Sequence, residues 1–165
     1  MKLVYLANIR MPTEKAHGYQ IAKMCEAFAF NHADVTLVVS SRKNSIDQSL
    51  FDYYGIDPSA FCLQKLKTGD FVHYRWLGKL GFVLQRVSWL SHMFFLPVPK
   101  DAIVYTREKE TAWVFLRRGY KVVFEEHRMP SLSPRGFFSL QRVFRIVAVT
   151  RGIANVLNAK ILQGT

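Results

Sequence analysis

The chain has 165 residues, of which 50% are hydrophobic and 21% are charged. This composition excludes a disordered or fibrous protein, and the length is that of one globular domain. The formal net charge of +11 predicts an anionic partner, and nucleic acid, anionic lipid and a phosphorylated substrate all fit that description.

The N-terminus does not have the pattern of a secretory signal. The apolar run Leu3–Ala7 is too short for one, and no stretch of the sequence has the roughly 18 apolar residues that a membrane span needs. Cys25 and Cys62 lie in apolar surroundings, without a cysteine or histidine at metal-ligand spacing. We therefore expect a soluble or surface-bound, cytoplasmic protein with two buried, reduced thiols. We also expect no metal and no cofactor.

Short runs rich in β-branched residues alternate with helical patterns along the chain. The runs predict strands at Leu3–Ala7, Val35–Ser40, Phe61–Leu66, Ala102–Thr106, Lys121–Glu126 and Arg145–Thr150. The helical patterns cover His17–His32, Phe82–Phe95, Glu108–Arg118 and Gly152–Asn158. Near-continuous apolar strands in this order predict an α/β fold with a Rossmann-like open parallel sheet and helices on both faces, in a single domain.

The predicted helix Phe82–Phe95 is apolar on more than one face. One stripe at helical spacing consists of Val83, Val87, Leu90 and Phe94, and the rest of the surface adds Phe82, Trp89, Met93 and Phe95. Basic residues lie within and before it, and a basic, aromatic-rich helix of this kind can lie in a membrane interface. The alternative is a core helix packed on the sheet. The two interpretations are compatible if only the helix end and the loop before it meet lipid.

The loops after the predicted strands are candidate sites, because ligands of open parallel sheets bind outside the carboxyl ends of the strands. The first strand leads into a long polar loop that ends at His17 and Gly18, near a predicted helix start. Backbone N–H groups at a helix N-terminus can hold phosphate. The sequence contains neither G-x-G-x-x-G nor a P-loop, so Gly18 is either a ligand-approaching glycine or a simple turn glycine.

A second candidate loop follows the fourth strand. Arg107 could bind a phosphate or a carboxylate through its planar guanidinium. The alternative is an ion pair with Glu108 or Glu110 at the start of the next helix.

A third candidate lies at the end of the fifth strand, where Glu125, Glu126, His127 and Arg128 follow an apolar run. Side chains alternate along a strand, so Glu125 and His127 are predicted to share a face that Glu126 does not. Glu125 could then orient His127 for binding or activating a hydroxyl. The alternative is a solvated strand end.

Three features, in order, resemble the N-terminal domain of glycosyltransferase family 4. They are the opening strand with Arg10-Met11-Pro12-Thr13-Glu14-Lys15-Ala16-His17-Gly18 and the helix Gln20–Ala29, the Thr106-Arg107 strand end, and Glu125-Glu126-His127. The closing strand Ile146-Val147-Ala148-Val149-Thr150 and the short helix after it also resemble that domain's last unit. The likeness therefore covers nearly the whole chain.

The resemblance implies the acceptor-binding half of a two-domain GT-B enzyme that transfers a hexosyl group, typically with retention and without a metal. It implies that His127 is the catalytic contact near the reacting centre, that Gly18 approaches the donor diphosphate, and that Arg107 is an acceptor-side residue. His17, Glu125 and Arg128 complete the predicted substrate-binding set. The donor-binding domain that the family places after this one is not in the chain, so we expect the isolated chain to be inactive.

The partners that the resemblance implies are a nucleotide sugar and a glycan or lipid-linked acceptor, in cell-envelope or surface glycan synthesis. Docking on the anionic inner face of the plasma membrane would use Arg75, Trp76, Lys79 and Arg86, or the cluster Arg117, Arg118 and Lys121. Such clusters are also common on ordinary solvated surfaces.

Two other function classes stay open at the level of the sequence. A nucleic-acid-binding module could use the positive charge together with Tyr74, Trp76 and Trp89, although no helix-turn-helix, zinc or RNP pattern is present, so nucleic acid is not the expected partner. A basic α/β module that binds a protein partner and keeps only a vestigial site is the other alternative.

Overall fold

The computed structural model describes residues 1–127 and 142–163. Its strands are β1 Lys2–Ala7, β2 Asp34–Ser40, β3 Cys62–Leu66, β4 Ile103–Thr106, β5 Lys121–Glu126 and β6 Arg145–Ala148. The helices are α1 Ala16–Phe30, α2 Leu50–Tyr54, α3 Gly78–Phe95, α4 Lys109–Arg117 and α5 Arg151–Gln163. Two short 3-10 turns, Phe71–His73 and Arg75–Leu77, precede α3.

The six strands form one parallel sheet in the order β3-β2-β1-β4-β5-β6. This is the strand order of a Rossmann fold. The five residues Leu3–Ala7 are buried one after another in β1, and successive strand residues point to opposite faces. Consecutive burial therefore requires cover on both faces, and the predicted fold class is confirmed.

The described residues fall into two compact units, Met1–Ala102 and Ile103–Thr165. In the first unit, β1 pairs with β2 and β2 pairs with β3, both parallel. Helix α1 buries Gly18, Ile21, Ala22 and Cys25. Helix α2 is short but capped at both ends, because the Ser49 side chain accepts from the Asp52 N–H and Gly55 takes the left-handed conformation with φ 60°.

Helix α3 buries the face formed by Gly81, Gln85, Trp89 and Met93. The Gln85 amide is satisfied there, since its nitrogen donates to Ser40 Oγ at 3.4 Å and Thr68 Oγ1 at 3.3 Å. Its oxygen accepts from the Phe71 N–H at 3.3 Å. The core-helix interpretation therefore holds for this face of α3.

The second unit contains β4, β5 and β6, paired in parallel, with α4 and α5. Helix α4 ends in a Schellman motif at Gly119. The Tyr120 N–H donates to Phe115 O and the Gly119 N–H donates to Leu116 O, with Gly119 at φ 80°. The Tyr120 ring packs edge-on against Phe115, with centroids 5.4 Å apart, so the cap is closed by an apolar contact.

The prediction that both cysteines are buried is wrong for one of them. Cys25 is buried in α1, whereas Cys62 is exposed. Cys62 begins β3, which is the edge strand of the sheet and is mostly exposed along its length. An edge strand has a neighbour on one side only, so apolar sequence surroundings do not ensure burial there. Within the described residues, no helix has the length and apolar character to cross a membrane.

Candidate functional site

The first unit carries a cleft of about 660 Å³ that is lined by the loops after β1, β2 and β3. Its charged lining consists of Arg10, Glu14, Lys15, Arg42, Lys43 and Asp70, and His17 and His73 also contribute. All of these loops follow the carboxyl ends of parallel strands, where ligands of such sheets bind. Four cationic side chains face two carboxylates, so the cleft favours an anionic ligand.

The loop after β1 is held in place by a tyrosine from α2. The Tyr54 hydroxyl accepts a hydrogen bond from the Thr13 N–H at 2.9 Å and donates one to the Thr13 carbonyl at 2.8 Å. Thr13 and Tyr54 are both buried. Burial raises the pKa of the Tyr54 hydroxyl above its ordinary value. A single side chain therefore satisfies both backbone groups of a residue that lines the cleft.

Arg42, after β2, connects the two neighbouring loops. Its guanidinium donates to the Asn8 carbonyl at 2.6 Å, to Asn8 Oδ1 and, through Nε, to Ser40 Oγ at 3.2 Å. Glu14 faces Arg10 at 2.9 Å. The pKa of the Glu14 carboxyl lies below its ordinary value, chiefly because the carboxylate accepts a hydrogen bond from its own backbone N–H and also because Arg10 is near. Fixed charges thus border the cleft.

Gly18 is required by packing. A Cβ added to it would meet the Tyr54 hydroxyl oxygen at 2.5 Å and collide with the Thr13 side chain. The residue lies in the first turn of α1, where its φ is not left-handed, so neither a turn nor backbone strain explains the glycine. Gly18 is not among the residues that line the cleft, but His17 is. The diphosphate contact of Gly18 stays a prediction.

In the second unit, Glu125 holds two of the predicted site residues. Glu125 is almost completely buried, and its Oε1 lies 2.5 Å from His127 Nε2 and 3.3 Å from an Arg107 terminal nitrogen. Arg107 follows β4 and His127 follows β5, and these strands are paired in parallel. The predicted common face of Glu125 and His127 is confirmed. The carboxylate fixes the imidazole through one ring nitrogen.

Glu126 has a different partner, as strand alternation predicts. Its Oε2 lies 3.3 Å from Lys109 Nζ, at the start of α4. Glu108, one alternative partner for Arg107, accepts a hydrogen bond from Thr111 Oγ1 at 2.8 Å. The end of β5 is therefore a set of buried carboxylates paired with cations, which the solvated-end alternative does not describe.

The remaining predicted residues are placed as follows. Arg128 lies outside the described residues. Arg75 and Trp76 belong to the second 3-10 turn, and Lys79 and Arg86 lie on α3, where both are exposed. The second basic cluster consists of Arg117, Arg118 and Lys121, and its arginines stack on aromatic rings of their own unit. Arg117 lies 4.7 Å from the Trp113 ring, and Arg118 lies 4.7 Å from the Phe115 ring.

Among the described residues, no group of three or more histidine, cysteine, aspartate or glutamate side chains is arranged to hold a metal ion. The chain matches no known protein family, no curated protein and no solved structure. The case for a function therefore comes from the sheet, the cleft and the Glu125 contacts.

Sequence reasoning missed the cleft residues Arg42, Lys43 and Asp70, and it missed Tyr54. The first three follow β2 and β3 directly, so the strand-end rule that selected Arg107 would also have found them. The Lys43 N–H donates to Asp70 Oδ2 at 2.9 Å, which links the two loops. No local sequence signal indicates that Tyr54 contacts Thr13, since the two residues are 41 positions apart.

Proposed function

We propose that this chain is the acceptor-side, N-terminal half of a GT-B glycosyltransferase of the family 4 type. It moves a hexosyl group from a nucleotide sugar to a hydroxyl of a glycan or lipid-linked acceptor, with retention, in cell-envelope or surface glycan synthesis. The proposed location is the cytoplasm, at the inner face of the plasma membrane. A Rossmann-like parallel sheet is the scaffold that such a half-enzyme requires, and the strand order found here supports the proposal.

The contact between Glu125 and His127 carries the proposal. A buried carboxylate at 2.5 Å fixes the imidazole through Nε2, so any further hydrogen bond from the ring uses Nδ1. When Nε2 carries the proton that it donates to Glu125, Nδ1 is an acceptor for a hydroxyl group. A positioned acceptor of this kind is what binding a sugar or acceptor hydroxyl needs.

The proposed reaction exchanges one bond at the anomeric carbon for another. The bond from that carbon to the diphosphate oxygen breaks, and the nucleoside diphosphate leaves with the electron pair. A bond from the same carbon to the acceptor oxygen forms, and the hydroxyl proton is released to the leaving phosphate or to water. His127 contributes by holding a hydroxyl near the reacting centre, and Glu125 contributes by holding His127.

The cleft of the first unit supports the substrate class by itself. Its net positive lining is suited to a phosphorylated acceptor, and the bonds from Tyr54 and Arg42 keep its loops in one arrangement before a ligand arrives. A preorganised site saves the ordering entropy that a flexible one would lose on binding.

The first test concerns the donor half. The coding DNA past the codon for Thr165 is sequenced, and we expect a second strand-and-helix series with two glutamates seven residues apart, the spacing that the family resemblance implies. A stop codon at that point would require a partner chain for transfer and would count against the proposal as stated.

The second test concerns His127 in the full-length product of the gene. Release of nucleoside diphosphate is measured with a panel of nucleotide sugars and a cell-envelope extract as acceptor source. We expect His127→Asn to lower the rate about 10- to 100-fold, which corresponds to losing one positioned hydrogen bond of about 1.5–3 kcal/mol near the reacting centre. The matched control is His32→Asn, because His32 is exposed and asparagine tolerates its positive φ of 61°. Equal rates in the two variants would contradict the role of His127.

A further inference from the structure

Helix α3 has an outer face that is apolar although it faces solvent. Its exposed members are Leu80, Val83, Val87 and Phe94, with Leu90 half-buried beside them. Val83 and Val87 are 54% and 58% exposed. Spacings of three, four and seven residues place these side chains on one side of the helix, opposite the buried face of Gln85 and Trp89. The part of the chain that the structure describes therefore leaves the stripe that the sequence indicates uncovered.

Two further apolar side chains are exposed near the two ends of this stripe along the chain. Phe95, the last residue of α3, is 86% exposed, and Trp76, in the 3-10 turn before the helix, is 82% exposed. A helix of 18 residues is about 27 Å long. Exposed apolar side chains that are grouped on one face over such a length mark a contact site more often than an ordinary surface.

The charged residues in this part of the sequence all have one sign. Between Asp70 and Asp101 the sequence has no acidic residue, whereas Arg75, Lys79, Arg86 and Lys100 lie in that interval. Lys79 and Arg86 are seven residues apart, so they lie on the same side of α3, about 10 Å apart along its axis, and they border the stripe. An apolar stripe with a cationic border complements a surface in which an apolar layer lies beneath anionic groups.

We propose that the outer face of α3 docks on an anionic lipid surface, with the helix axis parallel to the bilayer. Val83, Val87 and Phe94 enter the boundary between headgroups and acyl chains, and Lys79 and Arg86 meet the lipid phosphates. Trp76 and Phe95 anchor the two ends. The inference rests on the membrane location proposed above and names the surface that meets the lipid. It uses none of the residues of the cleft loops or of the Glu125 cluster, so it can fail while sugar transfer stands.

The observations favour lipid over the other occupants of such a face. Bases of a nucleic acid stack on aromatic rings, whereas the centre of this stripe is aliphatic and gains nothing from a phosphate backbone. A second copy of the chain, placed about a two-fold axis, would bring Lys79 and Arg86 against the same charges of its mate. Acyl chains can pack against the aliphatic centre of the stripe, and anionic headgroups can pair with its cationic border.

The experiment is co-sedimentation of the full chain with vesicles of phosphatidylcholine alone and of phosphatidylcholine mixed with phosphatidylglycerol. We expect partition into the mixed vesicles only. The double variant Lys79→Gln with Arg86→Gln lowers that partition about thirtyfold, since each cation near such a surface contributes roughly fivefold. Its matched control is Lys65→Gln with Lys67→Gln, which removes the same charge from exposed positions on and after β3.

The apolar arm of the experiment uses a matched pair of phenylalanines. Phe95 and Phe30 are the last residues of α3 and α1 and are 86% and 85% exposed. We expect Phe95→Asn to weaken vesicle binding about tenfold and Phe30→Asn to leave it unchanged. The double variant Val83→Asn with Val87→Asn tests the centre of the stripe. Circular dichroism of every variant checks that the fold is kept, and Phe95→Asn carries the test if the valine pair fails to fold.

Any one of four results would overturn the proposal. The first three are that the chain binds neither vesicle, that it binds both equally, or that the α3 variants bind as well as their controls. A fourth is a concentration-dependent dimer in sedimentation velocity that Phe95→Asn dissociates, without vesicle binding, since the occupant would then be a second copy of the chain.

Discussion

The two ion pairs at the end of β5 provide a direct comparison of what burial does to a salt bridge. Arg107 faces Glu125 and Lys109 faces Glu126, each at 3.3 Å, but the Arg107 side chain is 15% exposed and the Lys109 side chain is 38% exposed. Both carboxylates are buried. Water can replace the Lys109 ammonium more easily than the Arg107 guanidinium, so the two pairs differ in screening more than in geometry.

We expect Arg107→Met to lower the free energy of unfolding by about 3 kcal/mol, because it removes the guanidinium from a buried carboxylate that then keeps His127 as its remaining partner. For a chain of this length that corresponds to a melting temperature roughly 6–12 °C lower. Lys109→Met should cost about 1 kcal/mol or less. Methionine keeps the length of the aliphatic stem, so the comparison isolates the charge.

Double-mutant cycles with Glu125→Gln and Glu126→Gln measure the two couplings by urea unfolding followed by circular dichroism. The expected coupling is about 2–3 kcal/mol for the Arg107 pair and below about 1 kcal/mol for the Lys109 pair. Equal couplings would refute the reasoning, since the exposure of the cation would then have no effect on the strength of the pair.

Two further predictions concern the loop that Tyr54 holds. Gly18→Ala should destabilise the chain by about 1–3 kcal/mol, because the new Cβ meets the Tyr54 hydroxyl and the Thr13 side chain; a urea midpoint at or above that of the parent would contradict this. Tyr54→Phe should cost about 1–3 kcal/mol by leaving the buried Thr13 N–H and carbonyl unsatisfied, with Tyr53→Phe as the matched control. Because burial raises the Tyr54 pKa above 10.0, its contribution is present below pH 10.0 and is lost as the pH rises through the folded value. Stability of the parent should therefore fall more steeply than that of Tyr54→Phe in melts taken above that pH.

The strands could be predicted from the sequence because their short runs of β-branched residues favour strand over helix. The run Lys121–Glu126 was predicted with its observed ends, and the other strands were predicted to within two residues. Alternation along β5 then placed Glu125 and His127 together, which the 2.5 Å contact confirms. Local pattern was sufficient here because a strand that is covered on both faces consists of a near-continuous apolar run, which its own sequence displays.

Other features depend on contacts that no local pattern records. Helix α2 has only five residues, too few for helical periodicity, although Ser49 and Gly55 supply both of its capping signals. The role of Gly18 follows from the position of Tyr54, which comes from a different helix. Cys62 was predicted to be buried, but the sequence did not indicate that β3 would be an edge strand. Arg42, Lys43 and Asp70 of the charged cleft were not predicted, because the candidate loops were only those after β1, β4 and β5.

Helix α3 presents apolar side chains on both faces, so hydrophobicity alone would stabilise either orientation about the helix axis. Gln85 distinguishes between them. Turned inward, its amide bonds to Ser40, Thr68 and the Phe71 backbone, and Ser40 and Thr68 bond each other at 2.5 Å. A half-rotation of the helix would leave these groups buried without partners and would put Val83 and Val87 in the core. The hydrogen bonds of the Gln85 amide therefore select one rotation of α3 about its axis, as a buried polar residue can fix the register of a coiled coil. Without the Gln85 amide, the same helix could turn its outer stripe away from solvent.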